Sequence, residues 1–143
     1  MPPKARIKFQ KVMLPEVENL VESHRMLRGT CLGKRKLSHI TLSGVLMLCA
    51  SWELYVEELA IEMAGYLSEC AKSPGCLPEP VPRTIVNIIV NAIKSQKNHE
   101  LMPLTLAGDG WRQIYLDNLN EKVARFNSPK PSNINDLYKS HLG

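Results

Sequence analysis

The chain has 143 residues, 44% hydrophobic and 22% charged, with a formal net charge of +4. That length allows one domain with a real core, and the composition is that of a folded protein rather than a disordered, fibrous or disulfide-dense one. The most apolar segment, Ile40 to Ala50, is too short to span a bilayer, and no apolar run follows the basic N-terminus, so the chain reads as cytoplasmic, without a membrane partner.

Residues 1–13 read as a flexible basic arm. Pro15 then sits where a helix can start, since its missing N–H is one that the first turn does not use. Val17, Leu20, Val21, His24 and Leu27 follow at spacings of three and four, and Gly29 is placed to end the helix. Charge is uneven here. Lys4, Arg6, Lys8, Lys11, Arg25, Arg28, Lys34, Arg35 and Lys36 all precede His39, against only Glu16, Glu18 and Glu22. Arg25, Arg28, Lys34, Arg35 and Lys36 are therefore candidate phosphate contacts. Solvated helix ends explain the same residues more simply. Phe9 is the only aromatic residue interleaved with these cations, so no stacking platform for single strands is visible.

A long proline-free stretch follows, from about Leu37 to Ala71. Val45, Leu48, Trp52, Val56, Leu59, Met63 and Tyr66 step by threes and fours, predicting a core seam, with Glu53, Glu57, Glu58 and Glu62 off it. A helix of that length would approach 50 Å and needs antiparallel partners. Ser73-Pro74-Gly75 ends it, and Pro78, Pro80 and Pro82 predict a stiff, extended connection. Ile85, Ile88, Ile89, Ala92 and Ile93 predict a helix over 83–96, and 97–108 reads as a loop. Asp109 is placed to cap a further helix bearing Trp111, Ile114, Tyr115, Leu119, Val123 and Phe126. A double-proline elbow, Pro129-Lys130-Pro131, leads to a last short helix, 133–142, capped by Ser132. The fold class is all-α: an elongated antiparallel bundle of about five helices around one long central helix, in a single domain over 14–143. Trp52 and Trp111 are the expected anchors of the core or of a dimer seam.

Motifs for chemistry are few. Glu53, Glu57, Glu58 and Glu62 resemble half of a carboxylate-bridged metal bundle, but no Glu-x-x-His step accompanies them. Gly29-Thr30-Cys31-Leu32-Gly33-Lys34 has three residues between its glycines, Arg35 in place of Ser/Thr and no strand before it, so it is not a phosphate loop. His24, His39, His99 and His141 are scattered. Cys31, Cys49, Cys70 and Cys76 form no CxxC pair and read as reduced, unligated thiols, with Cys49 acting as a small hydrophobe. No catalytic, cofactor-binding or metal-binding residue is assigned.

Two stretches carry a resemblance. Leu42 to Leu59, centred on Trp52-Glu53-Leu54-Tyr55-Val56-Glu57-Glu58-Leu59, is similar to the long helix of the HEPN superfamily, in its RiboL-PSP-HEPN or MAE-type branch. Phe126-Asn127-Ser128-Pro129-Lys130-Pro131, leading to Asn133-Ile134 and Leu137, resembles that branch's proline elbow. The resemblance covers roughly 14–143. It implies an all-α bundle, usually a dimer, from bacterial defence, toxin–antitoxin or RNA-processing systems. Active members are metal-independent endoribonucleases using an Arg-x(4–6)-His motif late in the domain. Here Arg35 and His39 are three residues apart, His141 is too far from Arg125, and no Arg-x(4–6)-His occurs. The expectation is a HEPN-like domain that is non-catalytic as it stands or is the front part of a longer one. It would have a homodimer or partner protein, RNA as a candidate ligand, and no metal. The alternatives are a helical protein-interaction module, or a nucleic-acid binder working through the basic N-terminal third.

Overall fold

A computed structural model describes residues 2–28, 37–95, 101–126 and 128–143. Among these the chain is all-α, a helical bundle without strands. Its helices are α1 (Lys4–Lys8), α2 (Leu14–Leu27), α3 (Ser38–Cys70), α4 (Val81–Ser95), α5 (Gly110–Ala124) and α6 (Pro131–His141). The long helix predicted at the centre of the chain is α3, 33 residues and about 50 Å at the usual rise. The chain divides into two compact units, residues 1–59 and 60–143.

In the first unit the expected arm is helical. A π-helical segment, Phe9–Met13, joins α1 to α2, and backbone dihedrals stay helical across both joins. Proline in a helix interior removes one hydrogen bond and crowds the carbonyl four residues back. Pro15 has this relation to Lys11, which lies inside the wider π turn. Pro15 lies in the first turn of α2, where the sequence places it, but that turn continues a backbone that is already helical. Burial of Ala5, Met13 and Val17 runs along the same continuous rod.

The expected seam of α3 is also corrected. Val45, Leu48, Trp52, Met63 and Tyr66 are exposed, and of the seven seam residues only Val56 is buried. The buried residues beyond it on α3 are Ala60, Ala64 and Ser68, at strict four-residue spacing. Small side chains let neighbouring backbone approach closely, so they can be the core face while larger apolar residues remain outside. Residues 38–52 contain no Asp, Glu, Lys or Arg. An 18-residue window of α3 has mean hydropathy 1.3 and is 11% buried, so α3 is long and apolar enough to cross a membrane by length and composition. The shorter Ile40–Ala50 segment did not reach that length by itself.

In the second unit α4 packs on α5 and α6, and α5 packs on α6. Val81, Ile85 and Ile89 of α4, Trp111, Tyr115 and Leu119 of α5, and Leu137 and His141 of α6 are buried, each set at four-residue spacing. The proline-rich connection is not extended. Val81 N–H bonds the Pro78 carbonyl at 2.9 Å, Glu79–Pro80 is cis, and Pro82 lies within the first turn of α4. Neither predicted cap holds its helix by a side-chain hydrogen bond. Asp109 instead pairs with Arg112 Nη1 at 2.9 Å, and Pro131 opens α6 while Ser132 Oγ reaches Asn133 Oδ1 at 3.4 Å. Arg112 also donates from Nη2 to the Ala71 carbonyl, 3.0 Å, closing the end of α3.

Candidate functional site

Two features of the described residues present chemistry to solvent. The first lies in residues 1–59. Between α2 and the start of α3 runs an apolar groove of about 320 Å³, lined by Val17, Leu20, Val21, His24, Ile40, Gly44, Val45 and Leu48. Beside it α3 shows a second apolar strip. Leu42 and Leu46 are each 61% exposed, and Cys49 is an exposed free thiol. Steps of four and three put these three residues on one stripe of the helix. The strip passes into Glu53 and Glu57. The Glu57 carboxyl is held above its ordinary value, chiefly by partial burial and then by the charges of Glu53 and Glu58. On another side of α3, Phe9, Trp52 and Tyr55 form an aromatic cluster, with ring centroids 4.8 to 6.1 Å apart. Lys8 pairs with Glu58.

The second feature lies between α5 and α6. A polar pocket of about 320 Å³ is lined by Lys122, Arg125, Phe126, Asn133, Asp136, Leu137 and Ser140. Ser140 Oγ is 2.7 Å from His141 Nδ1 and 2.6 Å from the Asp136 carbonyl. The other ring nitrogen of His141 is 3.0 Å from Asn118 Oδ1, and Tyr115 donates its hydroxyl proton to the His141 carbonyl. These bonds tie α5 to α6 and satisfy a ring that is 1% exposed. Burial lowers the His141 pKa, the Leu137 carbonyl opposes that shift, and the charge of Lys122 adds to it. Burial also pushes the Tyr115 hydroxyl up to about 12.

The residues expected from the sequence are not gathered into one site. Arg25 and Arg28 are exposed at the C-terminal end of α2, where cations favour the helix dipole, and Arg25 is paired with Glu22 at 3.0 Å. Lys34, Arg35 and Lys36 lie outside the described residues, as does Cys31. Trp111 is core, 1% exposed, while Trp52 is 42% exposed within its aromatic cluster. Cys49 is not a buried hydrophobe. Among the described residues no group of three or more His, Cys, Asp or Glu is placed to hold a metal. Sequence reasoning missed the α5–α6 pocket, whose only linear signal is the three- and four-residue spacing of Asn133, Asp136, Leu137 and Ser140. Comparisons with protein-family models, with curated proteins and with solved structures find no match to this chain.

Proposed function

We propose that these residues act as a HEPN-like helical interaction domain that pairs with a second copy of itself through the first half of α3. The observation carrying this reading is the charge-free, solvent-facing strip of Leu42, Leu46 and Cys49. Contiguous exposed apolar surface on a folded domain marks an interaction site. Spacings of four and three suit helix–helix packing, and a closed two-fold pairing would cover the strip once per chain. The acids at Glu53 and Glu57 favour an antiparallel arrangement. A parallel pair would stack like charges, whereas an antiparallel pair separates them and sets Glu57 near the positive N-terminal end of the partner's α3. The sequence resemblance to dimeric HEPN domains supports the same pairing. With no Arg-x(4–6)-His in these residues, the role assigned is binding within a defence or RNA-processing assembly rather than RNA cleavage.

Light scattering after size exclusion tests this reading. The wild type should run at twice the 16.1 kDa chain mass. Leu46→Asp should halve that mass and leave the far-UV spectrum unchanged, because exposed substitutions rarely disturb a fold. A wild type that is monomeric at all concentrations would sink it. The hydropathy of α3 favours a second reading, insertion of that helix into lipid. Flotation of a monomeric chain with phospholipid vesicles would select it.

A further inference from the structure

We propose that the pocket between α5 and α6 binds a small zwitterion, an α-amino acid with an apolar side chain. The two walls of the pocket carry opposite charge. Lys122 and Arg125 line it from the α5 side, and Asp136 lines it from α6. None of the ion pairs among the described residues joins Asp136 to either cation, and none neutralises these three groups elsewhere. A simple anion such as phosphate would satisfy the cations but meet the Asp136 carboxylate. A simple cation would meet the reverse conflict. A ligand carrying a carboxylate and an ammonium group on neighbouring atoms satisfies both walls, and a planar guanidinium such as that of Arg125 matches a carboxylate with two parallel hydrogen bonds. Phe126 and the buried Leu137 supply an apolar surface between the charged walls, and the hydroxyl of Ser140 adds a polar contact. A volume of about 320 Å³ is at the small end of ligand sites, which suits an amino acid rather than a larger molecule. Lys122 acts electrostatically on His141, so neutralising that lysine with a ligand carboxylate would raise the imidazole's affinity for protons.

Saturation-transfer NMR and calorimetry on the full chain with L-leucine test the proposal. Two truncated analogues accompany it: 4-methylpentanoate, which lacks the ammonium group, and 3-methylbutylamine, which lacks the carboxylate. L-leucine should bind, and each analogue should bind about tenfold or more weakly, the usual loss for a hydrogen bond to a charged partner. Arg125→Gln and Asp136→Asn should each remove binding while circular dichroism stays unchanged, since both side chains are exposed. The His141 imidazole resonances should titrate at higher pH in the presence of L-leucine. Three results would overturn the proposal: no binding of L-leucine, 4-methylpentanoate or inorganic phosphate binding as well as L-leucine, or undiminished binding to Asp136→Asn.

Discussion

Nε2 of His141 lies 3.0 Å from Oδ1 of Asn118, with the imidazole almost wholly buried between α5 and α6. Burial disfavours the charged ring, so its native pKa is below the ordinary 6.5. The unfolded chain therefore binds the proton more readily than the native one. By linkage, stability is intact above about 6.5 and declines as pH falls from there towards the lowered native value. Urea midpoints should be lower at pH 5.5 than at 7.5, and His141→Gln should reduce that difference. An unchanged pH dependence in the variant would show that other groups cause it.

Trp111 and Trp52 should part company in the same assay. Trp111→Ala removes a buried ring and should cost about 3–5 kcal/mol. Trp52→Ala removes a part-exposed one and should cost about 1–2 kcal/mol, from apolar area alone. Iodide should quench Trp52 fluorescence much more than Trp111 fluorescence. Equal quenching would contradict the burial of Trp111.

Gly110 opens α5 where no side chain fits. A Cβ there would lie 1.8 Å from the Thr105 carbonyl oxygen. Gly110→Ala must displace the 3-10 turn Met102–Leu106, and should destabilise by at least about 1–3 kcal/mol, the usual cost of overpacking. Gly65→Ala, with nothing within 4 Å of its Cβ, is the matched control and should be neutral or stabilising.

Cys49 tests the pairing of α3 by chemistry. Its thiol is on the exposed strip, three residues before the end of the charge-free stretch at Trp52. In an antiparallel pair that crosses at Cys49, mild oxidation should yield a covalent dimer that Cys49→Ser abolishes. Crosslinking that persists in Cys49→Ser would place the contact elsewhere.

Among the described thiols, Cys76 should react first with a disulfide reagent at neutral pH. Hydrogen bonding from Ser73 and the nearby Lys72 favour its thiolate, so its pKa is below the ordinary value. Ser73→Ala should slow the reaction. Comparison with single Cys→Ser variants of Cys49 and Cys70 identifies the reacting thiol.

How far the sequence reveals the structure depends on which helix is considered. In α4 and α5 large apolar residues recur every four positions and face one core, so Ile85, Ile89, Trp111, Tyr115 and Leu119 are readable from spacing alone. On α3 the same rule points to the wrong side. There the packed face is made of Ala60, Ala64 and Ser68, which carry little hydropathy, while Leu42 and Leu46 remain outside. Periodicity reports where large apolar side chains lie, not which of them the monomer covers. The α5–α6 pocket is not legible, because Lys122 and Asp136 are ordinary surface residues until the packing of α5 and α6 brings them together. Pro15 is legible as a first-turn residue of α2, but the helical segment before it is not, because proline usually marks a start.

That segment, Phe9–Met13, also offsets the phase of the N-terminal rod. A π turn holds one more residue than the α turn it replaces, so side chains before it are rotated by about 100° relative to those after it. The offset lets Phe9 reach Trp52 and Tyr55 while Val17, eight positions later, is buried. Deleting one residue from 9–13 together with Pro15→Ala would restore an unbroken α-helix and turn Phe9 away from its aromatic partners. A single insertion or deletion here would thus change which residues the rod presents while altering its composition by one residue only.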